Sequence, residues 1–174
     1  MCAYLGLRRD EACQLRVRHV VQVAGIWAID LNAPDLRLKE GAGSESERSR
    51  RWVPLNRDLL RLGFLESLVS SRSASDQLFP ELDAGNAHAA FGVSLGKRFG
   101  HYQRSQHPDL PHGLHRFRHT FSTVLENTEA KSAFIDELTG HSSDQRRSER
   151  ARYTKSIWIA NLKTTIAQYP GRRR

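Results

Sequence analysis

The chain has 174 residues, a length that suits one domain with a buried core. Its 27 Lys and Arg residues outnumber its 19 Asp and Glu residues, and the resulting net charge of +8 favours an anionic partner, most commonly nucleic acid. A basic soluble protein without such a partner would have the same balance. We expect no membrane span, because no apolar run approaches roughly 18 residues, and no secretion signal, because the N-terminus lacks an apolar h-region. Cys2 and Cys13 form no CxxC motif, which predicts reduced thiols and a cytoplasmic location.

Hydrophobic periodicity predicts an α+β fold that is mostly α-helical with a small antiparallel β-sheet. A first helix is predicted over residues 4–15, followed by two strands that meet at a turn around Gly25 within residues 21–31. Residues 36–39 and 50–55 are predicted to form the two arms of another hairpin. The connection between these arms is rich in Gly, Ser and Glu and has no core-forming side chain.

Asn56 predicts the N-cap of a helix that runs to about residue 71. Further helices are predicted over residues 86–104, from His115 onward, over residues 130–138 and over residues 156–168. The prolines of the 107–111 segment separate the second of these helices from the third. The apolar side of the last helix suits packing on its own core.

The helix that begins at His115 carries the most informative pair of side chains. His115 and Arg118 are three residues apart, so they share one helix face and can converge on one ligand. Arginine presents a planar, permanently charged fork that suits phosphate, and histidine exchanges a proton near neutral pH. The pair therefore predicts a phosphate-centred site, although the same pair also occurs by chance on solvated helix faces.

Several segments resemble, in order, the motifs of the tyrosine recombinases, the phage integrase family. Residues 6–15 resemble the first-arginine motif, and residues 50–55 resemble the strand that ends in Val-Pro-Leu. Residues 115–121 resemble the His-x-x-Arg-His-Thr-Phe box, and residues 138–141 resemble the Leu-x-Gly-His box. Tyr153 follows at the place of the nucleophilic tyrosine. The resemblance extends over nearly the whole chain and implies the catalytic-domain fold of that family.

The resemblance implies six catalytic side chains and one support residue. The catalytic set is Arg8, Lys39, His115, Arg118, His141 and Tyr153, and the support residue is Glu11. In the implied reaction the two arginines bind the scissile phosphate, as bidentate donors to its oxygens. The resemblance implies that neither a metal nor a cofactor takes part.

The remaining roles divide between proton transfer and attack. His115 is expected to handle a proton, and His141 is expected to donate a hydrogen bond to a phosphate oxygen. Tyr153 is the expected nucleophile, whose phenol needs nearby cations or a base to react at neutral pH. Lys39, on the predicted second hairpin, is expected to give a proton to the leaving 5′ oxygen.

Each of these residues also has a plainer interpretation. Arg8 would fit a surface ion pair with Glu11, Lys39 a solvated lysine, and Tyr153 a structural tyrosine. The histidines could be capping or core residues. A zinc site is a further alternative, because His115 and His119 have i, i+4 spacing and His107 and His112 are near in sequence.

The resemblance also sets expectations for the whole protein. Residues 1–174 would be one recombinase catalytic domain that lacks the first helices and the separate DNA-clamping domain of its relatives. Its partners would be double-stranded DNA and further copies of the chain, which form a tetramer on DNA in the family. Its reaction would be site-specific recombination or integration through a 3′-phosphotyrosyl intermediate. The alternatives are a DNA-binding remnant without cleavage and, less favoured, a type IB topoisomerase-like activity.

Overall fold

A computed structural model describes residues 1–38, 49–82, 92–110, 113–141 and 152–170. Among these residues a three-stranded antiparallel sheet is surrounded by helices, so the predicted α+β class is confirmed. The strands are β1 (Val20–Val23), β2 (Ile26–Asp30) and β3 (Trp52–Pro54), with β2 in the centre.

The predicted hairpin around Gly25 is confirmed. Val20 pairs with Ile29 and Val23 pairs with Ile26, which leaves Ala24 and Gly25 as the two-residue turn. Both turn residues have positive φ, 50° and 75°, as a type I′ hairpin turn requires.

The second predicted hairpin is wrong. The segment of residues 50–55 contains β3, but β3 pairs with β2, through Ala28 opposite Pro54, and not with residues 36–38. Residues 36–38 form no strand, because the Gln14 side chain satisfies both backbone groups of Arg37, at 2.8 and 2.9 Å. With those groups satisfied, this backbone needs no strand partner.

The described helices account for just under half of the described residues. They are α1 (Cys2–Leu5), α2 (Arg9–Cys13), α3 (Arg57–Arg61), α4 (Phe64–Leu68), α5 (Val93–Gln106), α6 (His115–Glu126), α7 (Ser132–Thr139) and α8 (Lys155–Ala167). Helix α6 begins at His115 as predicted, and α7 and α8 confirm predicted helices to within about two residues at each end, the usual uncertainty of helix boundaries. The predicted helix of residues 86–104 corresponds to α5. The predicted start at residue 86 lies outside the described residues.

Two predicted helices are each broken at a glycine. In residues 4–15, Gly6 has a φ of 64° and ends α1, and its missing side chain makes room for the Phe121 ring. In residues 56–71, Gly63 has a φ of 75° and separates α3 from α4. Left-handed backbone is accessible to glycine at little cost, so each glycine fixes a helix end that periodicity alone does not show. The predicted N-cap is confirmed, since Oδ1 of Asn56 accepts from the Asp58 backbone N–H at 2.8 Å.

The C-terminal helix α8 packs on its own core. Its buried side chains include Trp158, Ile159, Leu162 and Ile166, and they face α7, β2 and β3, while Ile157 is exposed. This helix therefore completes the core around the Leu138 to His141 turn instead of leaving its apolar side open. In the part of the chain that the structure describes, every helix is too short or too polar to cross a bilayer.

Candidate active site

A buried carboxylate stands at the centre of the candidate site. Glu11, in α2, is only 3% exposed, and its Oε1 accepts from Nη1 of Arg8 at 2.9 Å and from Nη1 of Arg51 at 3.2 Å. Its Oε2 accepts from Nη2 of Arg51 at 3.0 Å and from the Arg8 backbone N–H at 2.7 Å. Burial alone would raise the pKa of Glu11, but the charges and hydrogen bonds of the two arginines lower it to about 2. Glu11 is therefore a carboxylate at any physiological pH.

Arg51 is the site residue that the sequence analysis missed. It is fully buried, and besides Glu11 it donates to the carbonyl oxygens of Leu138, at 3.1 Å, and Ser49, at 2.7 Å. A signal was present in the sequence, because Arg51, Val53 and Leu55 alternate along the chain and all three are buried, as one face of a strand predicts. Arg51 thus fastens the end of α7 to Glu11.

Arg118, in α6, lies beneath the surface of the site. Its Nη1 donates to the Gly6 carbonyl oxygen at 2.6 Å, and its Nη2 donates to the Thr139 carbonyl oxygen. The same Nη2 lies 3.4 Å from Nε2 of His141. Burial, followed by the positive charges of Arg51 and Arg8, lowers the pKa of Arg118 to about 9. Arg118 therefore joins the break after α1, helix α6 and the end of α7 at one point.

Arg8 presents the more accessible guanidinium. Its side chain is 26% exposed, and Nη2 donates to the Gly140 carbonyl oxygen at 3.3 Å. Arg8 and Arg118 therefore bind the carbonyls of two successive residues, Thr139 and Gly140. Gly140 is required at this turn, because its φ is 65° and a side chain there would collide with Arg51. The predicted ion pair of Arg8 with Glu11 exists, and it aims the guanidinium into the site.

The two site histidines lie at the exposed side of this cluster. His141 follows Gly140 directly, and its Nδ1 is 3.2 Å from Oγ1 of Thr139. Partial burial, followed by the charge of Arg118, lowers the pKa of His141. His115 begins α6 and makes an edge-to-face ring contact with His119 at 4.6 Å. Partial burial and the charges of His119, Arg118 and Arg8 lower the pKa of His115, so both histidines are neutral at pH 7.

Two predicted site residues are not brought into this cluster by the described contacts. Tyr153 is half-buried, and its ring lies 6.3 Å from Phe134 in α7 and 5.9 Å from Trp158 in α8, centroid to centroid. Lys39 lies outside the described residues. The structure therefore brings together Arg8, Glu11, Arg118 and His141, with His115 near enough for both arginines to influence its pKa.

A basic cavity of about 730 Å³ continues from the cluster between α2, α5 and the start of α6. Its charged lining is Arg8, Arg9, Asp10, Lys97 and Arg104, and the neutral His115 lines it as well. Positive side chains line it on both sides, so it favours an anion that extends beyond one phosphate. For the alternative zinc site, His112 lies outside the described residues, and no group of three or more metal-binding side chains occurs among the described ones.

Comparisons with known proteins agree with this architecture. Solved structures similar in fold include XerA recombinase, with a TM-score of 0.54 and 17% identity over 98% of this chain and 56% of that chain. The Tn1549 transposon integrase in complex with transposon right-end DNA has a TM-score of 0.51 and 19% identity over 87% of this chain and 56% of that chain. The XerH site-specific recombinase bound to a palindromic difH substrate in a post-cleavage complex has a TM-score of 0.51 and 21% identity over 91% of this chain and 44% of that chain.

The chain thus spans about half the length of the solved recombinases that it resembles. Among curated proteins, none shows significant sequence similarity to it. The model of the phage integrase family matches residues 1–156, which include the arginine motif, both histidine boxes and Tyr153. The chain therefore belongs to the phage integrase family, the tyrosine recombinases.

Proposed function

We propose that this chain cuts and rejoins DNA strands in site-specific recombination or integration, through a 3′-phosphotyrosyl intermediate. The observation that carries the proposal is the cluster at the end of α7, where Arg8, Arg118 and His141 meet around two successive carbonyl groups. Among the described residues, Arg8 and Arg51 donate to one shared carboxylate, Glu11, and Arg118 donates to carbonyl oxygens, so positive charge remains for an anion. Preorganised cations of this kind supply most of the stabilisation that phosphoryl transfer requires.

The proposed reaction exchanges one phosphate ester for another. The phenolic oxygen of Tyr153 attacks the scissile phosphorus, and the bond from phosphorus to the 5′ oxygen breaks. The phenolic proton passes to neutral His115, and Lys39 donates a proton to the departing 5′ oxygen. A 5′-hydroxyl from a partner strand then attacks the phosphotyrosyl bond and releases Tyr153. Because the bond is exchanged and not hydrolysed, the reaction requires no high-energy cofactor.

Arg8 and Arg118 have different accessibility in this proposal. Arg8 is partly exposed and reaches the phosphate directly, whereas Arg118 is 3% exposed and acts on it from below, through its charge and its contact with His141. His141 and His115 complete the exposed side of the phosphate site. DNA binding would then bring the Tyr153 phenol from its place beside Phe134 and Trp158 to the phosphorus.

Double-stranded DNA is the proposed partner. The cavity beside the cluster offers Arg9, Lys97 and Arg104 to phosphates that flank the scissile one. Strand exchange requires two partner duplexes, so we propose that several copies of the chain act together on DNA, as a tetramer by resemblance to the family. We also propose that residues 1–174 act as one catalytic domain, in the cytoplasm.

A second candidate function is DNA binding without cleavage. It is favoured by the packing of Tyr153 against Phe134 and Trp158, which holds the phenol in an aromatic cluster. In that case the arginine cluster would bind phosphate, but no covalent intermediate would form.

The test is covalent capture on suicide DNA. A pool of short duplexes with a randomised centre is nicked so that the 5′-hydroxyl fragment diffuses away after cleavage. The wild-type chain should form a denaturant-resistant adduct, Tyr153→Phe should form none, and the matched control Tyr102→Phe, at an exposed position of α5, should react like the wild type. Salt-sensitive DNA binding without any adduct would support the second candidate.

A further inference from the structure

Thr139 connects the two phosphate-site side chains that α7 supports. Its backbone carbonyl accepts from Nη2 of Arg118, and its hydroxyl lies 3.2 Å from Nδ1 of His141. The same hydroxyl donates to the Ile135 carbonyl oxygen one turn earlier, at 2.7 Å. Thr139 itself is fully buried. Neither the resemblance nor the proposed reaction gives this residue a role.

The hydrogen-bond directions around His141 follow from what each partner can do. A guanidinium only donates, so Nε2 of His141 accepts from Arg118. A neutral imidazole then carries its proton on Nδ1, which donates to Oγ1 of Thr139. The Thr139 hydroxyl donates its own proton to the Ile135 carbonyl oxygen. All three contacts are satisfied by one tautomer of His141, the one with Nδ1 protonated.

The other tautomer has a use when phosphate is bound. A phosphate oxygen next to Nε2 needs a proton there, and a neutral imidazole then needs a donor at Nδ1. The Thr139 hydroxyl can supply that donor by rotating from Ile135 to His141, because a hydroxyl both donates and accepts. The Ile135 carbonyl belongs to helix α7 and keeps its place in the helix ladder, so the rotation costs about one side-chain hydrogen bond.

We propose that Thr139 is a positioning residue for the cleavage reaction, whose hydroxyl orients the His141 ring and serves both of its neutral tautomers. It holds Nδ1–H while the site is empty and supports Nε2–H when a phosphodiester occupies the site. The effect of Thr139 on the cleavage rate rests on the proposed function. Its effect on the His141 tautomer in the free protein does not.

The test compares Thr139→Val, which keeps the shape and removes the hydroxyl, with Thr139→Ser, which keeps the hydroxyl. Long-range ¹H–¹⁵N NMR at about pH 8, where imidazole is neutral, reports which nitrogen of His141 carries the proton. The wild type and Thr139→Ser should show mainly Nδ1–H, and Thr139→Val should show a larger share of Nε2–H, because only the 3.4 Å contact with Arg118 then still favours Nδ1–H. Tautomers that are the same in all three proteins would overturn the proposal, as would a shift in Thr139→Ser as large as in Thr139→Val.

The catalytic consequence is measured with the nicked randomised duplex pool. Single-turnover adduct formation should slow by roughly five- to tenfold in Thr139→Val, the effect of losing one hydrogen bond, and should stay near the wild-type rate in Thr139→Ser. Equal rates in the wild type and Thr139→Val would overturn the catalytic part. If the wild-type chain forms no adduct at all, the proposed cleavage function fails, while the NMR comparison still decides whether Thr139 sets the tautomer.

Discussion

Replacing Glu11 by Gln tests the buried ion cluster that supports the site. The substitution keeps the side-chain size but removes the negative charge that Arg51, fully buried, and Arg8 share. Removing one partner of a buried pair leaves the other charge without compensation and costs about 3–5 kcal/mol. The Glu11 pKa gives a second route to the magnitude, because its lowering from 4.5 to about 2 corresponds to about 3 kcal/mol at neutral pH. We expect Glu11→Gln to lower the free energy of unfolding by about that amount.

The effect must also depend on pH in one direction. The Glu11 pKa is lower in the folded chain than in the unfolded chain, so its stabilisation is complete above about pH 5 and is lost as the pH falls towards 2. Urea unfolding should therefore show a large difference between the wild type and Glu11→Gln at pH 7 that shrinks steadily between pH 5 and pH 2.

The matched control is Glu129→Gln, at an exposed position, which should change the unfolding free energy by less than about 0.5 kcal/mol. A loss in Glu11→Gln below about 1 kcal/mol at pH 7, or a difference that does not vary with pH, would refute the ion-cluster reasoning. The double variant with Arg51→Met should recover part of the loss, since the uncompensated guanidinium is then removed.

Three further predictions test other parts of the structure. Gly6→Ala should lower the free energy of unfolding in urea by more than Gly25→Ala does. Both glycines have positive φ, but only at Gly6 would a new Cβ lie 2.5 Å from the Phe121 ring. Equal losses in the two variants would contradict the packing of Phe121 on Gly6. Arg118→Lys should lower the single-turnover cleavage rate by about a hundredfold or more, since lysine cannot reach both the Gly6 carbonyl and the end of α7. A rate near that of the wild type would show that Arg118 does not contribute to cleavage. Affinity for duplex DNA, followed by fluorescence anisotropy, should fall steeply with salt. Lys97→Gln should make the slope of log binding constant against log salt concentration shallower by about 1. An unchanged slope would show that the DNA does not contact Lys97.

The sequence predicted those parts of the fold that local patterns determine. Helix α6 and the hairpin around Gly25 follow from periodicity and from turn residues, and both are present. The breaks at Gly6 and Gly63 were missed because a glycine within a helical pattern ends a helix only where tertiary packing favours a left-handed residue. At Gly6 that packing is the Phe121 ring, which is distant in sequence.

The candidate site was predictable where side chains carry a motif and was missed where long-range contacts decide. The motifs of the sequence predict Arg8, His115, Arg118 and His141 as site residues, and the structure places Arg8, Arg118 and His141 in one cluster. The pairing of Arg51 with Glu11 spans 40 residues, and no local pattern shows it. The alternation of residues 51, 53 and 55 indicates the burial of Arg51, but its partner Glu11 is visible only in the structure.

Identification of the residue that is covalently linked to DNA tests most directly whether Tyr153 is the nucleophile. The wild-type chain is reacted with the nicked duplex pool, the adduct is digested with protease and nuclease, and mass spectrometry locates the nucleotide-bearing peptide. We expect a 3′-phosphate linked to Tyr153, in the peptide that contains the start of α8. A linkage at Tyr4, Tyr102 or Tyr169, or the absence of any linked peptide while DNA binding persists, would contradict it.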